Sequence, residues 1–408
     1  MTPPRITLMV GGRWQAFDLA LGLKHRGALH RLVTNYPWSK VRTWGFERNE
    51  VACIPGSQLV NQFVQRCVPE RHKARFQYFT HSWFARDALR HLDGAELVHG
   101  WSSFSLPAIQ QCRRRGVPFV LDRVSSHMRV QCELLSFERS KLGFKWESTH
   151  PKVVSMELAE YEAATRIVVP SRFVERTFIA QGVPATRLRR NTLGVNLALF
   201  RPVDGYQKRR EFTAVFAGSL SFRKGIHYLV DGFRQAAIPD SRLLLVGGAS
   251  GETERLIGKP PPGLVRFGHV PQSSLADHYR GAHAFVIASI EEGLAMVQAQ
   301  ALACGLPLIC TENTGGEDLL EMINQGRPPF METTRIKRYS AGFVVPIRDP
   351  DAIGACLRRL AGDPVLRDQQ SCAALRIHEM FLDWTHYGDR AVTGYMEILD
   401  GMRSPVLG

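Results

Sequence analysis

Residues 289–309 read Ser289-Ile-Glu-Glu-Gly-Leu-Ala-Met-Val-Gln-Ala-Gln-Ala-Leu-Ala-Cys-Gly305-Leu-Pro-Leu-Ile309. The apolar run Ala284–Ile287 before them predicts a strand, the acidic turn with Gly293 a loop, and the small-residue stretch a helix that Gly305 ends. Pro307–Cys310 predicts the next strand. Where a strand enters a helix through such a turn, the first helical N–H groups lack acceptors. Those of Gly293, Leu294 and Ala295 are then phosphate donors, reinforced by the helix dipole. Glu292 and Gln300 stand eight positions apart. On one continuous helix that spacing is about 800°, roughly 80° past two turns, so the two would not share a face. With Glu292 in the loop and Gln300 in the helix, they reach different parts of one extended ligand.

Outward from this segment, short apolar strands alternate with amphipathic helices, the pattern of parallel sheets covered on both faces. In the first half, strands are predicted at Ile6–Val10, Leu29–Val33, Glu96–His99, Pro118–Leu121 and Arg166–Val169. Ile6–Val10 runs into Gly11-Gly12 and a helix over Gln15–Lys24. Ser171 caps a helix over Phe173–Ala180, which Gly182 stops. The second half has strands at Thr213–Phe216, Leu243–Val246, Val265–Phe267, Ala284–Ile287 and Pro307–Cys310. Between the two series lies Asn191–Arg210, a linker carrying Gly194, Pro202 and Gly205. The tail, Tyr387–Met402, predicts one amphipathic helix. Two Rossmann-like α/β domains joined by a linker imply a cleft, with ligands beyond the carboxyl ends of the strands.

The 408 residues fit two to three domains, and 44% hydrophobic with 22% charged residues is the balance of a globular protein. No apolar run approaches the ~18 residues that a membrane-spanning helix needs. Met1–Val10 reads as a core strand rather than a signal peptide, so the expectation is a soluble cytoplasmic protein. Lys plus Arg number 52 against 38 Asp plus Glu, a net charge of +14. That excess suits an anionic partner: nucleic acid, an acidic leaflet or phosphorylated small molecules. The basic clusters (Arg113–Arg115, Arg187–Arg190, Lys208–Arg210, Arg335–Arg338) are short and not interleaved with aromatics, which argues against nucleic acid. The eight cysteines form no C-x-x-C pair and read as reduced, buried thiols, with no ligand cluster for zinc.

Residues 292–308 resemble the E-x(7)-E signature of the retaining glycosyltransferases of family four, commonly E-G-F-G-L-x-x-x-E-A-M-A-x-G-x-P-V. The resemblance implies a GT-B fold, with Glu292 contacting the donor sugar and Gln300 the ribose hydroxyls. Glutamine replaces the family's second acid. Its amide oxygen still accepts from a ribose hydroxyl, and loss of the charge weakens that contact by about 1 kcal/mol. Phe216-Ala-Gly-Ser-Leu-Ser-Phe-Arg-Lys-Gly225 is similar to the family's G-R-L-x-x-x-K-G, whose cations neutralise the donor diphosphate. With Ser219 where arginine is common, Arg223 and Lys224 carry that charge. Leu243-Leu-Leu-Val-Gly-Gly248 and Val265-Arg-Phe-Gly-His-Val270 resemble the strands framing the base, with backbone near Val270 pairing to it. Asn191-Thr-Leu-Gly-Val195 resembles the interdomain N-G-V-D, and Val10-Gly-Gly12 the loop that brings Gly11 and Gly12 to the pyrophosphate. A family histidine contacts the donor sugar; His127 stands in roughly that place, with His99 as the competitor. Phe381-Leu-Asp-Trp384 through Tyr395 is similar to the closing helix that crosses back onto the first domain.

The resemblance therefore implies residues 1–200 as an acceptor domain, completed by a helix at 385–408, and residues 206–384 as the nucleotide-sugar domain. It implies a retaining transferase moving a sugar from a nucleoside diphosphate to a glycan or lipid-linked acceptor, in bacterial surface-polysaccharide synthesis, with no metal and no cofactor. The alternative, a GT-B-like binder of nucleotide or glycan without turnover, follows from Gln300 and Ser219. Trp38, Trp44, Phe46, Phe76, Tyr78, Trp83 and Phe84, with the basic excess, suggest peripheral docking to an anionic membrane face.

Overall fold

In the computed structural model, which describes residues 3–68, 70–144, 149–380 and 382–403, two sheets account for the two strand series. The first is wholly parallel: β1 (Ile6–Val10), β2 (Leu29–Thr34), β3 (Val51–Cys53), β4 (Leu97–Trp101), β5 (Phe119–Asp122), β6 (Arg166–Val169) and β7 (Leu188–Arg190), in the order β3-β2-β1-β4-β5-β6-β7. Every residue of β1, β4 and β5 is buried. These strands are mostly apolar because helices cover both faces of the sheet. The second sheet contains β8 (Thr213–Ala217), β9 (Arg242–Val246), β10 (Leu264–Phe267), β11 (Ala284–Ile287), β12 (Leu308–Thr311), β13 (Phe330–Met331), β14 (Lys337–Tyr339) and β15 (Gly342–Val345), in the order β10-β9-β8-β11-β12-β15-β14-β13. Only its β15-β14-β13 edge is antiparallel.

Strand order reverses direction between β1 and β4 in one sheet and between β8 and β11 in the other. At such switch points the flanking loops diverge and leave a crevice at the carboxyl ends. The loops after β1, β8 and β11 are therefore placed to build a site. They carry Arg13 and Trp14, Arg223 and Lys224, and Glu291 and Glu292 respectively.

The last helix, Trp384–Arg403, lies against the helix Ala16–His25 of the first sheet's layer. Its approach depends on two glycines: a Cβ at Gly388 would sit 3.3 Å from the Gly22 Cα. Arg390 holds the helix to the linker through Asn191 Oδ1 (3.0 Å) and the Thr192 carbonyl (2.7 Å). Tyr395 pairs its hydroxyl with His99 Nδ1 at 2.7 Å inside the core. His99 thus serves to dock the helix. Phe381, which opens the resembling motif, and residues 404–408 of the implied helix lie outside the described residues.

Elements that the sequence pattern did not pick out include β3, β7, β13, β14, β15 and the helices Gly56–Cys67 and Glu70–Ala88. Replacing Gly388 by leucine is expected to push the terminal helix off Gly22 and cost about 1–3 kcal/mol. Thermal unfolding of Gly388→Leu reads this as a lowered midpoint; a curve superimposable on the parent's would contradict the contact.

Candidate active site

Between the two sheets lies a cleft of ≈ 760 Å³, lined on one side by Arg13, Trp14, Gln15, Asp18, Trp44, Val124 and Ser125, and on the other by Arg223, Lys224, Glu292 to Val297 and Gln300. The loop after β8 reaches it through a tight turn in which Gly225 has φ +63° and a Cβ would fall 1.9 Å from the Ala288 carbonyl oxygen. Only glycine fits there. The loop after β11 comes so close to the first domain that a Cβ on Gly293 would fall 1.6 Å from the Val124 carbonyl oxygen. Ser171 caps the helix Arg172–Ala180 as its sequence position suggests. Its hydroxyl also donates to the Gly293 carbonyl at 2.6 Å, tying the two domains together.

The charges in this cleft are arranged in pairs. Lys224 Nζ forms an ion pair with Glu292 Oε1. Arg223 meets Glu291 Oε2 at 2.8 Å, donates to the Glu291 carbonyl at 3.2 Å, and reaches Ser125 Oγ of the first domain at 3.1 Å. Glu291 is fully buried and accepts from the Ser126 N–H (2.8 Å), the Ser126 hydroxyl (2.7 Å) and Gln131 Nε2 (3.2 Å). Burial would raise its pKa, but Arg223, the two Ser126 hydrogen bonds and Arg123 outweigh it and hold the carboxyl below its ordinary range. Arg123 is itself engaged by Glu157 at 2.8 Å and by Gln131 Oε1 at 2.6 Å.

A second carboxylate crosses the interface in the same way. Glu138 of the first domain accepts from Tyr228 (2.8 Å) and Arg348 (2.6 Å) and pairs with His227 (2.9 Å), all three in the second domain. Burial pushes its pKa up, yet the hydrogen bonds from His227, Arg348 and Tyr228 bring it down to about 2.

Of the residues singled out from sequence, Glu292, Gln300, Arg223, Lys224, Gly293, Leu294 and Ala295 come together around the cleft. One detail differs: the Ala295 N–H is not free but donates to the Thr314 carbonyl at 3.3 Å, because the turn Glu312–Thr314 packs under the loop and the helix proper begins at Met296. Gln300 is buried, and its Oε1 has no hydrogen-bond partner among the described residues. Gly11 and Gly12 do not line the cleft; the Arg13 and Trp14 that follow them do. Packing explains the first glycine, since a Cβ on Gly11 would fall 2.4 Å from the Phe104 ring. Val270 is half-buried beside the core, and Gln272 and Leu275 of the next helix face the cleft in its place.

His127 stands apart from the residues that line the cleft. It caps the helix Met128–Lys141 by accepting the Arg129 N–H at its Nδ1 (3.3 Å), and its ring packs on Tyr161 and Phe178 at 4.9 Å each. Burial, then Arg123 and Arg129, lower its pKa to about 4, which keeps it neutral at physiological pH. The loop instead presents Val124 and Ser125 to the cleft. Sequence reasoning passed over Glu291, Ser125, Arg13, Trp14 and Asp18. The available signals were adjacency to Glu292 and position just beyond the Gly-Gly at the end of β1.

A family model described as Glycosyltransferase Family 4 matches residues 11–199, and one described as Glycosyl transferases group 1 matches residues 211–363. The chain belongs to the family-four, group 1 glycosyltransferases. This glycosyltransferase is 27% identical to D-inositol 3-phosphate glycosyltransferase 1 of Catenulispora acidiphila, over 75% of this chain and 72% of that protein. It is also 27% identical to the D-inositol 3-phosphate glycosyltransferase of Frankia alni, over 72% and 73% of the two chains. The fold matches sucrose-phosphate synthase from Thermosynechococcus elongatus with a TM-score of 0.69 at 19% identity, covering 98% of this chain and 100% of that one. HepE of Anabaena in complex with UDP-glucose matches with a TM-score of 0.65 at 14% identity, covering 97% and 99%. The glycosyltransferase therefore has the GT-B fold.

Glu291 is the test of how the two halves are held. Glu291→Ala leaves Arg223 without its buried ion-pair partner and is expected to cost about 3–5 kcal/mol. Denaturant unfolding should rank the parent above Glu291→Gln, which keeps an acceptor for Ser126, and that variant above Glu291→Ala. Equal stability of all three would refute the role.

Proposed function

We propose that the enzyme transfers a sugar from a nucleoside diphosphate donor to a glycan or lipid-linked acceptor with retention of configuration, in the synthesis of a bacterial surface polysaccharide. One observation carries the donor side of this reading: Arg223, Lys224, Glu292 and Gln300 line one cleft at the carboxyl ends of β8 and β11. The diphosphate lies along the loop N–H groups and the two cations. Lys224 exchanges Glu292 for phosphate, which offsets the charge that develops on the leaving group. Glu292, released from Lys224, then accepts from the hydroxyls of the donor sugar. The Gln300 side-chain amide hydrogen-bonds a ribose hydroxyl. Charge neutralisation by these side chains supports a reaction that uses no metal ion. His127, packed against Tyr161 and Phe178, shapes the loop that presents Ser125. In a retaining transfer the acceptor hydroxyl enters on the face from which the diphosphate leaves, and a departing phosphate oxygen takes its proton.

We place the enzyme in the cytoplasm, at the inner face of an anionic membrane. Among the described residues no helix is long and apolar enough to cross a membrane. Of the aromatics named from sequence, Phe46 and Phe84 are core residues, and Trp44 faces the cleft. Phe76 and Trp83 are exposed, and the helices Gly56–Cys67 and Glu70–Ala88 add exposed Leu59, Phe63 and Phe79. The spacings 59/63 and 76/79/83 put each set on one helical face. Together they supply an apolar surface that suits a bilayer interface, and the net charge of +14 suits an acidic one.

Two measurements test this reading. A thermal-shift panel of UDP-, GDP-, ADP- and dTDP-glucose should show stabilisation by one nucleotide class. With that donor, Lys224→Ala should lose about 10²-fold in kcat, Glu292→Ala should lose transfer, and the product should keep the donor's anomeric configuration by proton NMR. An inverted product, or full activity in both variants, would overturn the mechanism. Vesicles rich in phosphatidylglycerol should co-sediment the parent at low salt, but not the double variant Phe63→Ser, Phe79→Ser. Equal recovery of both proteins would rule out that surface.

A further inference from the structure

Arg223 and Lys224 are held from outside the cleft as well as from within it. They lie in the turn that leads into the helix Ile226–Ala236, and His227 and Tyr228 stand in the first turn of that helix. Gly225, pressed against the Ala288 carbonyl, joins the two tightly, so the orientation of the helix fixes that of the turn. His227 and Tyr228 reach across to one first-domain side chain on the helix Met128–Lys141. Glu138 Oε1 accepts from the Tyr228 hydroxyl at 2.8 Å and meets His227 Nε2 at 2.9 Å. The His227 and Tyr228 rings pack on each other at 4.0 Å, and Lys141 donates to the Tyr228 oxygen at 2.9 Å. Neighbours of Glu138 touch the turn itself. Phe222, immediately before Arg223, has the Arg139 guanidinium 5.6 Å from its ring centroid and the Phe144 ring at 6.0 Å.

The third donor to Glu138 is Arg348, whose Nε lies 2.6 Å from Oε2. The same guanidinium donates to the Leu134 carbonyl at 3.3 Å and lies over the Phe137 ring, 4.6 Å from its centroid. Arg348 sits at φ +62°, a left-handed backbone that is strained for a non-glycine residue and persists where its surroundings impose it. Its loop leads into the helix Pro350–Gly362, which packs closely on the helix Ile226–Ala236: a Cβ at Gly354 would fall 2.8 Å from the Gly232 carbonyl oxygen. Arg348, His227 and Tyr228 thus belong to one packed unit, and the fully buried Glu138 grips it from the first domain. Glu138 itself stands outside the residues that line the cleft. A buried carboxylate with donors from the other domain is satisfied only when the two domains are docked. We propose that Glu138 is a positioning residue for the transfer. By fixing the first turn of the helix Ile226–Ala236, it sets Arg223 and Lys224 where the donor diphosphate binds, and it makes diphosphate capture depend on docking of the first domain. This rests on the reading of the Arg-Lys turn as the diphosphate site, and adds a control of that site by a carboxylate that touches no substrate.

Isothermal titration of the full chain with UDP, GDP, ADP and dTDP, each beside its nucleoside, tests this. For the diphosphate that binds most tightly, the ratio of nucleoside to diphosphate dissociation constants isolates what the cations contribute. Lys224→Ala should lower that ratio about ten-fold. Glu138→Ala should lower it about ten-fold as well, with nucleoside affinity within about two-fold of the parent's. Arg348→Gly removes one donor and relieves the left-handed backbone, so it should stay folded and lower the ratio about three-fold. In a Glu138→Ala background, Lys224→Ala should cost less than about three-fold more, because residues that act through one another do not add. The assignment is overturned if the folded Glu138→Ala or Arg348→Gly keeps the parental ratio, or if nucleoside affinity falls as far as diphosphate affinity. Full multiplication of the two losses in the double variant overturns it too. Should Glu138→Ala fail to fold, Arg348→Gly decides. A ratio lowered by Lys224→Ala but untouched by the other two variants sinks this assignment alone. A parent that binds no diphosphate more tightly than its nucleoside overturns the donor reading, and this inference with it.

Discussion

A single buried carboxylate, Glu291, ties the shape of the cleft to the arrangement of the two domains. Removing a charge from water costs several kcal/mol unless partners replace the lost hydration. For Glu291 the replacements come from both sides: Ser126 and Gln131 from the first domain, Arg223 from the second. Arg223 extends the same connection to Ser125. The Arg223 guanidinium is thus oriented by groups that meet only when the two halves are together. Satisfying the charge and closing the cleft are one condition.

The same economy governs the rest of the site. Lys224 is held by Glu292, and Arg223 by Glu291, so the Arg-Lys turn and the Glu-Glu turn neutralise each other in register. In the proposed reaction, an incoming diphosphate meets cations already in place and exchanges one carboxylate for phosphate, with little reorganisation. Close backbone approach makes this possible, since Gly293 abuts the Val124 carbonyl and Gly225 abuts that of Ala288. The opposing wall is of another kind, with Trp14, Trp44 and the Arg13 guanidinium over the Trp44 ring.

Much of the fold was legible from residue order. β1, β6 and β11 begin and end close to where their apolar runs do, because a parallel strand buried on both faces is mostly apolar. β3 and β7 escaped because three residues at a sheet edge carry no pattern, and β13 because its two residues are exposed. The helices Gly56–Cys67 and Glu70–Ala88 were obscured for another reason. Leu59, Phe63 and Phe79 face outward, so apolar spacing there does not mark a buried stripe. A polar residue beyond a strand serves equally as a ligand contact or a helix cap, and the position of His127 at a cap was not legible from its neighbours.

The sequence by itself determined the strand–turn–helix grammar, the glycines that the turns demand, and the residues Arg223, Lys224, Glu292 and Gln300 that meet around the cleft. These follow from local rules: backbone hydrogen bonding, side-chain periodicity and conformational freedom act over a few residues. Tertiary structure alone decided that Glu291 would be the buried link to Ser126, 165 positions away, that His99 would bind Tyr395 rather than substrate, and that Trp14 would stand open to the cleft. Those outcomes depend on which loops long-range packing brings within 3 Å of one another. No stretch of neighbouring residues encodes that distance.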